Sequence, residues 1–232
     1  MKWRAFELLG IWAARATVLI ITYSCSTISA LGEEESRHRV SYESSDSDKQ
    51  SIWIDEVGSG FRAGTFEAGM SLGGGMGHKI LLSETEHDLA LATFDFGWVF
   101  SEVMANEHWY RGNWEVLGEV FQGAQFSPNI SYVIGASALL RYNFCTHSRW
   151  VPFVNGGGGA AATSIRNTDL STTFEYNLQA GAGTHYLVRE NLALTAQYRF
   201  VHLSNAGLQA PNLGVNTSMF FIGASWFFGP RH

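Results

Sequence analysis

From Phe61 onward the sequence falls into eight stretches in which apolar residues alternate with polar or small ones, separated by clusters of turn-forming residues. A period of two places successive side chains on opposite faces of a strand. The chain is therefore committed to β-structure in which the two faces of each strand meet different surroundings. The fourth stretch is the clearest: Tyr132, Ile134, Ala136, Ala138, Leu140, Tyr142 and Phe144 oppose Ser131, Ser137, Arg141 and Asn143. An unbroken pattern of that length suits a tilted membrane strand, which needs about 9–11 residues.

The other stretches repeat the theme. Phe66, Ala68, Met70 and Leu72 share one face of the first, against Glu67, Gly69 and Ser71, and Phe94, Phe96, Trp98 and Phe100 share one face of the second, against Thr93, Asp95 and Gly97. Alternation alone does not separate a membrane barrel from a water-soluble one with an apolar interior, such as a lipocalin. Three features favour the membrane: aromatics near strand ends (Trp98, Trp114, Tyr142, Phe144, Trp226, Phe228), small or ionisable residues of both signs on the opposite faces, and few charges overall. The expected fold is all-β, an eight-stranded antiparallel transmembrane β-barrel over residues 57–232. Glu67, Asp95, Glu115 and Glu119 are expected to meet Arg141 and Arg199 inside it. An even strand count puts both ends on the periplasmic side, so the connections after strands one, three, five and seven face outward.

Ahead of the barrel, Lys2, Arg4 and Arg15 precede an apolar run from Thr17 to Tyr23 and small residues up to Ala30. This is the order of a secretory signal peptide, assigned to residues 1–30. Residues 31–56 are rich in Glu, Ser and Asp and are read as a flexible leader that buries little. Loss of residues 1–30 removes three basic residues and one acid and takes the formal charge from -6 to -8. Such an acidic chain argues against a nucleic-acid partner. It would retain only Cys145, so no internal disulfide is expected.

The run Tyr198 to Asn216, YRFVHLSNAGLQAPNLGVN, carries the chemistry. His202 and Ser204 lie two apart on a strand and so point to one face, the apolar one, near its outward end. Two readings compete. Strand ends at the membrane boundary tolerate polar residues because they reach headgroups and water. Alternatively, the histidine accepts the proton of a serine nucleophile, since a serine hydroxyl attacks an ester only when a neighbouring base activates it. A third group must orient the imidazole, and Asn216 opens the outward face of strand eight, where the hairpin returns it toward strand seven. The loop between contains Gly207, Asn212 and Gly214, where the backbone can bend sharply and present N–H groups to an oxyanion.

The block HLSNAGLQAPNLGVN strongly resembles the C-terminal block of the lipid A 3-O-deacylase family, outer-membrane acyloxyacyl hydrolase-like proteins. The resemblance implies an outer-membrane esterase that removes an ester-linked 3-hydroxyacyl chain from lipid A of lipopolysaccharide in the outer leaflet, with no cofactor. It casts His202 as base and Ser204 as nucleophile, Gly207 and Asn212 as oxyanion-hole contributors, and Asn205 as the structural asparagine after the serine. Asn216 stands where characterised deacylases have a glutamate, and Gly229 to His232 follow the terminal aromatic Phe228 on which many such barrels end. The departure at Asn216 keeps a rival in play, a non-catalytic structural barrel of the same family. Whether the chain forms a homodimer is left open by the sequence.

Two other features carry less. Gly156 to Gly159 are not followed by the Lys-Ser or Lys-Thr of a phosphate loop and read as strand. His78, His87 and His108 lack the spacing of a metal site, so no metal is expected, and they read as solvent-exposed residues near turns.

Overall fold

The computed structural model describes residues 51–229. The signal peptide and most of the leader expected from the sequence lie outside this range, as do residues 230–232.

Eight antiparallel strands follow one another: β1 (Phe66–Gly77), β2 (Asp88–Val99), β3 (Gly112–Ser127), β4 (Ser131–Phe144), β5 (Trp150–Thr163), β6 (Phe174–Arg189), β7 (Leu192–Ser204) and β8 (Val215–Phe228). Each pairs with its neighbour, and β1 pairs with β8 to close the barrel. Closure matters because no strand edge can stay unpaired in hydrocarbon. The glycine-rich run lies within β5, as its small residues and flanking alternation imply.

The faces separate as the periodicity requires. Phe94, Phe96, Trp98, Leu140, Leu178, Tyr198, Ile222 and Trp226 stand exposed on the outer wall. The interior is filled in three tiers. Nearest the outward rim, Leu89, Leu91, Phe121, Val133, Leu170 and Phe221 pack together. In the middle, Arg141 pairs with Glu67 and with Glu115 at 3.4 Å, and Arg199 pairs with Glu119. At the opposite rim, where residues 51–65 and Gly229 lie, Trp53 stacks on Phe61 and Phe61 on Phe227.

That last tier draws on two residues ahead of the expected boundary at residue 57. Ile52 and Trp53 are buried, Trp53 to 1% exposure, and the Trp53 indole donates to the carbonyl of Glu190. The acidic composition of the leader stops short of these two apolar residues, which close the barrel mouth. His87 corrects an expectation. It is fully buried rather than solvent-exposed, because the β5–β6 connection folds into the barrel mouth and brings Asp169 to 2.8 Å from its Nε2.

Candidate active site

The outward rim is formed by the connections after β1, β3, β5 and β7, opposite the end at which residues 51–65 and Gly229 lie. His202 and Ser204 occupy the last turns of the pleat of β7, on the lipid-facing side and partly exposed. Across the β7–β8 ladder His202 is in register with Asn216, and across the β6–β7 ladder Ser204 is in register with Tyr176. Register thus puts all three polar side chains on one patch of wall.

Their contacts form a chain. Asn216 Nδ2 donates to the carbonyl of Ile80 at 2.8 Å, which turns its Oδ1 toward the imidazole. That oxygen lies 2.7 Å from His202 Nδ1, and His202 Nε2 lies 3.1 Å from Ser204 Oγ. Since an amide oxygen can only accept, Nδ1 must carry the ring proton in the neutral histidine, and Nε2 is left with its lone pair toward the serine. This tautomer is the one that can take the hydroxyl proton. Asn216 is only 1% exposed although it sits on the outward face, because the β1–β2 connection covers it.

Gly214 makes room for the ring. Its φ of +85° belongs to the left-handed region, and a Cβ there would sit 2.7 Å from His202 Cε1. Only glycine satisfies both demands. Its N–H donates to the Asp169 carbonyl at 2.9 Å, which anchors the hairpin to the β5–β6 connection.

The remaining candidates are brought to the same hairpin with different jobs. The Asn205 side chain is buried; its Oδ1 accepts from Gly207 N at 3.0 Å and its Nδ2 donates to the Gln209 carbonyl at 2.8 Å. The Gly207 N–H is therefore occupied within the turn. Asn212 Oδ1 accepts from the Asn205 N–H at 2.9 Å, beside Ser204, while its own amide N–H groups have no partner among the described residues.

Three contributors were not foreseen from sequence: Ile80, through its carbonyl, and Asp169 with His87. The Asp169 carboxylate accepts from the N–H groups of Glu84 at 2.8 Å and Thr85 at 2.9 Å, and so fastens the β1–β2 connection that carries Ile80. Burial alone would raise the Asp169 carboxyl, but these two N–H groups and His87 outweigh it and hold it below the usual carboxylate range. The pairs are separated by 82 to 136 residues, and no local pattern announces them.

A closed barrel with an apolar outer wall, a filled interior and a Ser–His–Asn constellation facing lipid defines the class: an outer-membrane β-barrel protein. Residues 90–225, more than half of the chain, match the family described as lipid A 3-O-deacylase (PagL), and the chain belongs to that family. Among solved structures it is similar to the outer-membrane enzyme PagL, with a TM-score of 0.51, 19% identity, and coverage of 67% of this chain and 98% of the other. It is also similar to Neisserial surface protein A (NspA), with a TM-score of 0.53, 15% identity, and coverage of 70% and 98%. At these identities the likeness speaks for the fold. Among curated proteins, no sequence matches the chain. The outer-membrane location excludes the water-soluble lipid-binding barrel.

Proposed function

We propose that the protein is an outer-membrane esterase that hydrolyses an ester-linked 3-hydroxyacyl chain of lipid A at the outer leaflet. The observation that carries this reading is the hydrogen-bond chain from Asn216 through His202 to Ser204, which leaves the imidazole lone pair on the hydroxyl that must be activated. Family membership supplies the substrate class.

In this scheme Ser204 Oγ attacks the acyl carbonyl as His202 Nε2 takes its proton. The tetrahedral oxyanion is held by donors at the β7–β8 hairpin, for which the unpaired amide of Asn212 is the candidate, with Asn205 and Gly207 holding the turn. The proton on Nε2 then passes to the departing sugar oxygen. A water activated by the same nitrogen attacks the acyl-serine and releases the fatty acid. Asn216 orients the ring but contributes no negative charge.

Mass spectrometry of lipid A from cells expressing the protein is the test. The wild type is expected to produce lipid A lighter by one hydroxyacyl chain, and Ser204→Ala to leave it intact. Unaltered lipid A in the wild-type cells would sink the reading. That result would leave the rival, a non-catalytic barrel that keeps the hairpin as a folding element. The observation in the rival's favour is the amide at position 216, where the resemblance calls for an acid.

A further inference from the structure

The β1–β2 connection has features that the hydrolytic scheme does not use. It presents Ile80, Leu81 and Leu82 in succession to the exterior, Leu81 at 66% and Leu82 at 80% exposure. Leu81 and Leu82 have φ values of 51° and 78°, in the left-handed region that large side chains rarely occupy. Such strain persists only where the surroundings impose it. Here they do: His78 N donates to the Asn216 carbonyl at 2.8 Å, Ser83 N to the Ile80 carbonyl at 3.1 Å, and the next two N–H groups to Asp169. The segment is pinned on both sides while its apolar side chains are held outward.

Charge adds a second observation. The four connections of the outward rim contain two cationic side chains besides histidines, Lys79 and Arg166. Arg166 is spent on the carbonyls of Thr163, Ile165 and Thr172 and on the Thr173 hydroxyl. Lys79 is exposed and makes no ion pair or hydrogen bond with any described residue, Glu84 and Glu86 of its own loop included. It precedes the residue whose carbonyl orients Asn216. An unpartnered cation followed by three outward apolar side chains matches a ligand that joins a phosphate to hydrocarbon.

We propose that this segment is the receiving edge of the site: Lys79 takes a phosphate on the sugar of the substrate lipid, and Leu81 and Leu82 take its acyl hydrocarbon. The assignment rests on the deacylase reading for the choice of lipid, and it adds a specificity element to it. Lipid A, a phosphorylated and multiply acylated glucosamine disaccharide, has both halves of the required chemistry.

Binding separates this proposal from turnover. In detergent micelles, the full-length Ser204→Ala protein is titrated with lipid A and, separately, with enzymatically dephosphorylated lipid A. Adding Lys79→Ala is expected to weaken binding of the phosphorylated lipid about fivefold, the contribution of one lysine near an anionic lipid surface, and to leave the dephosphorylated lipid unaffected. Lys79→Arg is expected to restore it. The paired change Leu81→Ser with Leu82→Ser is expected to weaken both lipids equally. Unchanged affinity for the phosphorylated lipid in Lys79→Ala, or an equal loss for both lipids, overturns the phosphate assignment. No loss in the leucine variant overturns the hydrocarbon assignment. Because nothing is hydrolysed in this measurement, a protein that binds as stated but leaves cellular lipid A intact fails the deacylase reading and not this one.

Discussion

At residue scale, Asn216 holds two positions at once, bonded to His202 on one side and to Ile80 on the other. Asn216→Ala removes both contacts. The imidazole loses its orientation, and the expected loss in kcat is about 100-fold, within the range for a positioned general base. Asn216→Glu separates the roles. A carboxylate facing Nδ1 stabilises the imidazolium that forms as the serine proton is taken, so kcat is expected to equal or exceed that of the wild type. The same carboxylate has no N–H for the Ile80 carbonyl and repels it, so the β1–β2 connection loosens and KM is expected to rise. Steady-state kinetics on lipid A in micelles read both numbers. A large fall in kcat for the glutamate variant would mean that the amide does something other than orient the ring. His202 and Ser204 were legible in the sequence because two polar residues interrupt an otherwise apolar face, and Asn216 because a hairpin must bring it back. Ile80 was not, since its part is played by a backbone carbonyl that any residue would supply.

At the scale of elements, the strands were written in the periodicity and the docking of the loops was not. β4 and β7 are read off their alternation, and the glycines of β5 blur that alternation without ending the strand. Loop docking depends on pairs such as Asp169 with the Glu84 and Thr85 N–H groups, distant in sequence and of ordinary residue types. His87 read as a surface residue for the same reason, and Trp53 as part of a polar leader because composition averages over a window. The Asp169 clamp is testable by pH. Its carboxyl is held below the usual range in the fold, so the folded state binds fewer protons than the unfolded one. The stability it contributes is fully present above the unfolded value of about 4 and is lost as pH falls through the lower folded value. Asp169→Asn is expected to destabilise the barrel at neutral pH by about 1–3 kcal/mol, the cost of weakening charge-assisted, part-buried hydrogen bonds. Urea unfolding in micelles, followed by tryptophan fluorescence, should show the gap from wild type narrowing below pH 4. A gap that stays constant on acidification would mean that the carboxylate's charge is not what holds the connection.

For the whole molecule, the filled interior decides where chemistry can happen. The apolar tier at the outward rim, the Arg141 and Arg199 ion pairs, and the Trp53 plug fill the interior among the described residues, and Ser204 lies on the outer wall, so in the proposed reaction the substrate comes to it sideways from the leaflet. This arrangement requires the exposed apolar wall to face hydrocarbon, and Ile222 is the place to ask. It lies at mid-strand in β8 with 63% exposure, in register with Ala196 on β7 and Leu72 on β1, while its neighbour Phe221 is buried in the interior. A charge on the lipid side near the bilayer midplane costs about 2–4 kcal/mol, whereas on a water-facing wall an arginine changes stability by only about 0.5 kcal/mol. Ile222→Arg is therefore expected to lower unfolding stability in phospholipid vesicles by about 2–4 kcal/mol. Ile222→Ala serves as the control for lost side-chain packing, since it removes the same contacts without adding charge. If the arginine variant is no less stable than the alanine variant, the wall at Ile222 does not face lipid, and a sideways approach to Ser204 loses its physical basis.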